Sequence, residues 1–301
     1  MNMTSTVAGI APVPAAAEPV ERSPGFWSGV VRKLMRDPVA LGAGAVLLTL
    51  ILMAIFAHQL VPSDPYATSM LKRLKPIGFE GFPLGSDELG RDMLSRLMLG
   101  TRLSLFMGIT PVLIAFVIGS GVGILAGYAG GLVNTLIMRT IDILYAFPSV
   151  LLAIALSGAL GAGIGNALLS LTIVFIPQIA RVAESVTTQV RGRDYVEAAR
   201  ASGASPFTIV RVHVLGNVLG PIFVFATSLI AVSMILASGL SFLGLGVRPP
   251  EPEWGLMLNT LRTAIYTQPW VAALPGVMIF ITSISFNLLS DSLRSAMDVK
   301  S

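Results

Sequence analysis

The chain has 301 residues, of which 54% are hydrophobic and only 12% are charged, and its mean hydropathy is +0.80. Soluble domains carry about 25% charged residues, so this composition excludes an ordinary soluble domain and indicates an integral membrane protein. The net charge of +4 is small and indicates a surplus of Lys and Arg on one side of the membrane rather than binding to nucleic acid.

Long runs without Asp, Glu, Lys or Arg predict the membrane spans. The run 38–57 suits one span, since about 20 apolar residues cross a bilayer. Runs at 103–138 and 143–180 are nearly twice as long, and glycine clusters at 130–131 and 158–166 divide them. Further runs cover 212–247 and 263–290. The predicted fold is therefore an all-α integral membrane protein with six transmembrane helices, at about 38–60, 102–128, 132–158, 165–190, 210–245 and 270–293.

The remaining chain is assigned to tails and loops. Residues 1–24 are rich in Ala, Pro and Val and lack the pattern of a signal peptide, so they predict a disordered tail. A basic cluster precedes the first span and places both termini in the cytoplasm. The expected divisions are a cytoplasmic tail and basic segment at 1–37, the first span and outer loop at 38–101, a five-helix core at 102–293 and a cytoplasmic tail at 294–301.

A charged stretch, RDYVEAARASGASP at 193–206, separates the fourth and fifth predicted spans. Asp194 is a predicted N-cap, and Glu197 can reach back as the carboxylate of a capping box. Gly203 can adopt the left-handed conformation that ends a helix, and Ser205, followed by proline, can begin another. A two-turn helix is not stable alone in water. The stretch therefore predicts a short cytoplasmic helix that needs a surface to pack on; an ordinary loop is the alternative.

The segment EAARASGASPFTIVRVHVLGNVLGPI, at 197–222, resembles the signature of bacterial ABC-importer permeases. That signature is Glu-Ala-Ala, three residues, Gly, nine residues and an apolar position shortly before Leu-Pro. Here Gly216 replaces the final proline and His213 replaces the apolar residue. Three further stretches resemble the oligopeptide/dipeptide branch, which also includes nickel permeases: LGSDELGRDMLSRLMLGTRLSL (84–105), IMRTIDILYAFPSVLLAI (137–154) and LSFLGLGVRPPEPEWGLML (240–258).

The resemblance implies a transport subunit with no enzymatic activity of its own, in the bacterial inner membrane. Its short helix would be a coupling helix that docks in a groove of a cytoplasmic ATPase. The implied partners are a homologous permease in a heterodimer, two ATPase subunits that bind ATP and Mg²⁺, an extracytoplasmic solute-binding protein and membrane lipid; the chain itself would hold no cofactor or metal. The implied coupling residues are Asp194, Tyr195, Glu197, Ala198, Ala199, Arg200, Gly203, Ala204 and Ser205.

The implied substrates are di- or oligopeptides, with nickel, glutathione or another small solute as alternatives. An ion-coupled secondary transporter is a further alternative, but it predicts ionisable groups in the middle of the membrane and inverted repeats, and neither is evident. A membrane enzyme is unsupported because the sequence contains no phosphate loop, no H-E-x-x-H and no G-x-S-x-G motif. The absence of cysteine excludes disulfides and thiolate metal sites.

Within the predicted spans, small and charged residues carry further expectations. Glycines every four residues from 119 to 131 predict a face for close helix packing. Charged pairs three apart, Arg139 with Asp142 and Arg181 with Glu184, are expected to pair within their own helices. Prolines in the five later spans predict kinks, and some are candidate hinges: Pro111, Pro148, Pro177, Pro221 and Pro275.

The second outer loop, at 246–269, should be extended at its prolines, with a short amphipathic helix at 254–265. Trp254 and Trp270 are expected at the membrane interface, where an indole ring can be half apolar and half hydrated.

Overall fold

The computed structural model describes residues 26–297. Within that range the chain forms helices and no β-strand, apart from two isolated β-bridges in the first outer loop. The prediction of a disordered tail over residues 1–24 lies outside the described residues. The helices of the described range are α1 Phe26–Leu34, α2 Pro38–Ile55, α3 Ala57–Leu60, α4 Met93–Ala129, α5 Gly131–Tyr145, α6 Ser149–Leu160, α7 Ile164–Arg191, α8 Asp194–Ala201, α9 Pro206–Ile209, α10 Leu215–Phe242, α11 Trp254–Thr260 and α12 Pro269–Met297.

The all-α membrane architecture is confirmed. Five segments of the described range are long and apolar enough to cross a membrane: α2, α4, α7, the continuous run from α9 through α10, and α12. The helices α5 and α6, of 15 and 12 residues, are each too short to cross alone and qualify as a sixth span only as a pair, which is bent by 84° at a short break. The third span, predicted at 132–158 with a kink at Pro148, is thus two helices separated by a sharp break. Pro148, which cannot donate a backbone hydrogen bond, occupies that break.

Several boundaries also differ from the predicted ones. Helix α4 begins at Met93 rather than near residue 102, because Asp92 caps it by accepting a hydrogen bond from the Ser95 backbone amide at 2.9 Å. Residues 26–34, predicted as part of the tail, form α1. Helix α12 continues to Met297, so residues 294–297 are helical.

Helices α4 and α7 form the most extensively packed pair in the bundle. A Cβ atom added at Gly119 would lie 2.9 Å from the carbonyl oxygen of Ile176, and one at Gly127 would lie 2.7 Å from that of Glu184. The predicted role of the glycine repeat in packing is thus confirmed for these two positions and for Gly123. A Cβ atom added at the last glycine of the repeat, Gly131, would meet no atom within 4 Å, and this glycine instead begins α5.

A buried ion-pair cluster secures the first outer loop to the start of α4. The Asp87 carboxylate lies 2.6 Å from Nε of Arg91 and 3.1 Å from Nε of Arg96. Arg91 also binds Glu88 at 2.9 Å, and Arg96 donates to the carbonyl of Pro65 at 3.1 Å. The charges of Asp87, Glu88, Arg91 and Arg96 therefore neutralise one another where the loop meets the bundle. This ion-pair cluster gives the stretch at 84–105 a structural role.

The second outer loop enters the bundle through α11. Trp254 is fully buried, and its indole Nε1 donates to the carbonyl of Leu97 at 3.2 Å. Its expected position at the membrane interface was therefore wrong, and the reason is that α11 wedges between α4, α10 and α12. Trp270, by contrast, is 78% exposed. The helix predicted over 254–265 is shorter, since α11 ends at Thr260.

The buried Glu253 carboxylate caps the N-terminus of α11. It accepts hydrogen bonds from the backbone amides of Gly255 and Leu256, each at 2.9 Å, and from the Ser104 hydroxyl at 3.3 Å. Burial raises the pKa of Glu253, and these donors partly offset that effect. Nearby, the phenol of exposed Tyr66 donates to Glu251 at 2.9 Å, and partial burial together with this carboxylate raises the pKa of Tyr66 to about 12.

Both described ends of the chain lie on the same side of the bundle as α8. Lys33 on α1 donates to the carbonyl of Ala296 near the end of α12 at 3.3 Å. Met297 lies against Gly220, close to the start of α10. The two outer loops lie at the opposite ends of these helices. An even number of crossings, with α5 and α6 as one broken span, produces this arrangement.

Candidate functional site

The segment between α7 and α10 forms the short helix α8, as predicted. Arg193, rather than Asp194, is its N-cap, and no side chain caps the helix. The predicted capping box of Asp194 and Glu197 was therefore wrong. Asp194 and Glu197 instead lie in the first turn, where their negative charges interact favourably with the helix dipole.

Helix α8 ends in a Schellman motif. Gly203 has a φ of +80°, a conformation that favours glycine. Its amide donates to the carbonyl of Arg200 at 3.0 Å, and the amide of Ala204 donates to that of Ala199 at 3.1 Å. These two bonds satisfy carbonyls that the end of the helix would leave without partners. The predicted stop at Gly203 is confirmed.

A second helix follows immediately, again as predicted. The Ser205 hydroxyl accepts from the backbone amide of Thr208 at 3.2 Å, and Pro206 is the first helical residue. Helix α9 continues through a π-helical turn at Val210–Val214 into α10. This turn contains His213, one of the two positions where the sequence departs from the permease signature.

One apolar side chain attaches α8 to the bundle. Val196 is fully buried, whereas Asp194, Glu197, Ala198 and Arg200 are exposed. Of the other predicted coupling residues, Gly203 and Ser205 are exposed, and Ala199 and Ala204 are partly buried. The structure therefore brings the predicted residues together on one short projection, with most of them accessible to a partner.

The exposed face continues onto residues that the sequence analysis did not single out. Phe207 is 74% exposed and Val212 is 60% exposed. Tyr195 is 43% exposed, and its ring centroid lies 6.1 Å from that of His213. Large apolar side chains on a surface mark sites of protein interaction when they cluster. The sequence signal was the placement of Phe207 directly after Pro206 in a short helix with little surface to bury.

A cleft of about 650 Å³ lies beside α8, where the end of α7 meets the start of α10. Arg193, Asp194 and Tyr195 line it together with Asn217 from α10. The surface therefore combines charges of both signs with exposed aromatic and aliphatic groups. Such a surface suits a protein partner with complementary charges.

The charged residues of α5 and α7 do not pair as predicted. Arg181 binds Asp142 across the two helices instead of Glu184 in its own helix. Glu184 accepts a hydrogen bond from Nδ2 of Asn134 at 2.6 Å. Both predicted pairings within a helix were wrong, because close packing of α5 on α7 provides partners that spacing along one helix cannot reveal.

Comparison with known proteins decides the family. Residues 119–300 match the family described as binding-protein-dependent transport system inner membrane component. The chain belongs to this family. Residues 25–76 match a second description, the N-terminal TM domain of oligopeptide transport permease C.

Two relatives indicate the branch of the family. The chain is 41% identical to the glutathione transport system permease protein GsiD of Pectobacterium atrosepticum, over 97% of this chain and 96% of the relative. It is 41% identical to the di/tripeptide transport system permease protein DppC of Pseudomonas aeruginosa, over 91% of each chain. The chain is thus a permease subunit of an ABC importer of the peptide branch and a multi-pass protein of the inner membrane.

The fold has a solved counterpart. A chain of the methionine ABC transporter MetNI, in an inward-facing conformation, superimposes with a TM-score of 0.56 and 21% sequence identity. The match covers 68% of this chain and 97% of that chain. At this identity the similarity concerns the fold alone.

Proposed function

We propose that this permease forms, with a second homologous permease, the pathway by which an ATP-driven importer moves di- and oligopeptides delivered by an extracytoplasmic binding protein. Each of two cytoplasmic ATPase subunits binds one permease of the pair, and in this permease the ATPase binds helix α8. These subunits bind ATP and Mg²⁺, and the permease itself holds no cofactor. Both termini of the permease lie in the cytoplasm.

The observation that carries this proposal is the construction of α8. It has eight residues, its only fully buried side chain is Val196, and its remaining surface is largely exposed. A helix this short depends on packing for its stability. A groove on an ATPase supplies the missing surface, as in other helix-in-groove complexes. The rigid turn at Gly203 then transmits movement of α8 to α9 and α10.

Mechanically, ATP binding acts by favouring one of two states of the pathway. Closure of the ATPase pair moves α8, and α8 moves the inner ends of α7 and α10, to which it is joined. A ligand shifts such an equilibrium only as far as it binds the two states differently. Tight contact between α8 and the ATPase in both states is therefore compatible with transport, provided that the ATPase pair itself changes shape.

Peptides are the proposed cargo because one relative is named for di- and tripeptides and residues 25–76 match a domain of oligopeptide permeases. Glutathione, for which another relative is named, and nickel are the alternatives. Uptake of labelled dipeptide, oligopeptide, glutathione and nickel by the complete assembly in vesicles distinguishes them. Saturable, ATP-dependent uptake of peptide is expected. Uptake that continues without ATP and follows a proton gradient would contradict the ATP-driven mechanism.

The role of α8 is tested with the double variant Glu197→Lys/Gly203→Val. Valine at a φ of +80° costs about 1–2 kcal/mol, and the charge reversal alters the exposed face. We expect about tenfold or greater loss of ATPase that co-purifies with the solubilised permease, since about 1.4 kcal/mol corresponds to a factor of ten.

Gly192→Ala is the matched control. Gly192 lies just before α8, has a φ of −86° and has only one neighbouring atom within 4 Å, at 3.9 Å. An alanine there is accommodated without strain, so ATPase retention should equal that of the unsubstituted chain. Retention of ATPase and of ATP-driven uptake by the double variant at control levels would refute the coupling role of α8.

A further inference from the structure

The break between α5 and α6 lies in the middle of a span. Helix α5 begins beside the end of α7, since a Cβ atom added at Gly130, directly before α5, would meet the guanidinium of Arg191. Helix α6 ends near the start of α7, where Asn166 donates to the carbonyl of Leu160 at 2.8 Å. The pair therefore runs the length of α7, and its break lies about halfway along.

The backbone at this break is open to one side. Ala146 and Pro148 are exposed, and Phe147 is 56% exposed. Non-helical backbone at membrane depth is tolerated where protein covers it or where it lines a water-filled cavity, but not against lipid. This face therefore does not contact the hydrocarbon of the bilayer.

A cleft of about 260 Å³ opens at the break. Its polar lining comes from Tyr145 and Ser149 on one side and from Gln178, near the middle of α7, on the other. The Gln178 amide donates to the carbonyl of Val174 at 3.5 Å, a long hydrogen bond that occupies only one of its polar atoms. The cleft therefore offers hydrogen-bonding groups to water or to a solute at the depth of the membrane.

An ion pair adjoins this cleft. The guanidinium of Arg181, paired with Asp142, lies 5.4 Å from the ring centroid of Tyr145. The side chains of Arg181 and Asp142 are 47% and 39% exposed. Exposed apolar residues lie on either side of Asp142 along α5, Leu136 at 70% and Ile143 at 66%, with the exposed Arg139 between them. Charges within an apolar belt face a water-filled cavity or another protein rather than lipid.

We propose that the cleft and this ion pair form part of the wall of the aqueous translocation pathway and contact the charged ends of a peptide in transit. Arg181 suits the terminal carboxylate, which a guanidinium can bind through two hydrogen bonds, and Asp142 suits the terminal ammonium. Because each charge already has a partner, the peptide must compete with the existing pair. Such weak exchange is what a pathway requires, since a solute must leave as readily as it enters.

This inference rests on the proposed function, and thiol labelling tests it separately. The chain contains no cysteine, so single cysteines can be introduced without further changes to it. The variants Ser149→Cys and Gln178→Cys are assembled with cysteine-free partner subunits in vesicles and treated with a membrane-impermeant thiol reagent. Thr49→Cys, an exposed position in the middle of α2, is the matched control.

We expect both cleft cysteines to react at least about tenfold faster than Thr49→Cys in at least one of the two states, nucleotide-free or nucleotide-bound, because the reactive thiolate forms only where water has access. Saturation with a dipeptide-loaded binding protein during ATP turnover should slow labelling of Gln178→Cys. In the background Asp142→Asn/Arg181→Gln that protection should disappear while the labelling itself persists.

Labelling of both cleft cysteines as slow as that of the control, in vesicles that still import peptide, would overturn the inference and leave the proposed function intact. Protection that survives in the neutral background would refute contact between the ion pair and the peptide. Absence of ATP-driven peptide uptake by the unsubstituted permease would instead refute the proposed function. The two failures are therefore distinguishable in the same vesicles.

Discussion

Single glycines set the distance between α4 and α7. At Gly123 an added Cβ would collide with the carbonyl oxygen of Ala180 and lie 2.6 Å from Cβ of Ala183. Backbone and Cβ atoms cannot move aside as the end of a flexible side chain can. The absence of a side chain at this position therefore lets α4 and α7 pack at short range.

We expect Gly123→Ala to lower the free energy of unfolding by about 1–3 kcal/mol, the usual cost of overpacking. Gly121→Ala is the control: no atom lies within 4 Å of the added Cβ, and alanine favours helix by up to about 1 kcal/mol over glycine. Thermal unfolding of the detergent-solubilised protein measures both. Equal transition temperatures for the two variants would contradict the packing role.

Other residue-scale features depended on contacts between helices. The spacing of Arg181 and Glu184 suggested a pair within α7, yet Arg181 binds Asp142 on α5. A helix offers each charge several neighbours at three and four residues, and these pairs contribute only a few tenths of a kcal/mol. A partner on an adjacent helix displaces such a weak preference easily. Sequence spacing therefore could not identify the ion pair.

Among the elements, α11 shows how a loop becomes part of the core. Its N-cap, Glu253, is almost completely buried and accepts hydrogen bonds from two backbone amides and one hydroxyl. The short helix fits between α4, α10 and α12. A short helix after the extended prolines was predicted from the sequence, but the burial of Trp254 depends on three helices distant in the chain.

Glu253 should make stability depend on pH. The pKa of Glu253 in the folded protein is raised above the ordinary value of 4.5. The contribution of Glu253 to the free energy of unfolding is therefore fully present below about pH 4.5, and it is lost as the pH rises through the pKa of the folded state. We expect the transition temperature of the unsubstituted protein to fall more between pH 5 and pH 8 than that of Glu253→Gln.

Glu80→Gln, at an exposed position in the first outer loop, is the control and should retain the pH dependence of the unsubstituted protein. The Glu253→Gln protein should also be less stable at pH 5, because an amide nitrogen then faces a backbone donor. A pH dependence in Glu253→Gln identical to that of the control would exclude Glu253 as its source.

The prolines remain hinge candidates at the scale of elements. Four of them lie inside α4, α7, α10 and α12, and Pro148 lies at the break between α5 and α6. Each removes one backbone donor from its helix. The structure accounts for the break at Pro148, while the hinge role stays a prediction for all five.

At the scale of the whole molecule, the six crossings place α8 and the outer loops on opposite faces of the membrane. A cysteine at Leu71, which is 90% exposed, should react with an impermeant reagent in intact cells. A cysteine at Ser202, at the end of α8, should react only after the membrane is opened. Reaction of Ser202→Cys in intact cells at the rate of Leu71→Cys would contradict a cytoplasmic α8.

The sequence by itself determined the class of the protein, the number of crossings and the position of the short helix at 194–201. These follow from local causes: runs of apolar residues long enough for a bilayer, a glycine at a positive φ and a serine cap. Such signals act within a few residues, so they can be read along the chain. The family resemblance extended them to partners and mechanism.

The tertiary structure alone decided which charges pair, how sharply the third span bends and which surfaces stay open. Arg181 meets Asp142, Trp254 becomes buried and Phe207 remains exposed because of the way helices far apart in sequence pack together. The physical reason is that the neighbour packed against an apolar or charged side chain decides whether that side chain is paired, buried or exposed. That neighbour is fixed by the geometry of the bundle, not by distance along the chain.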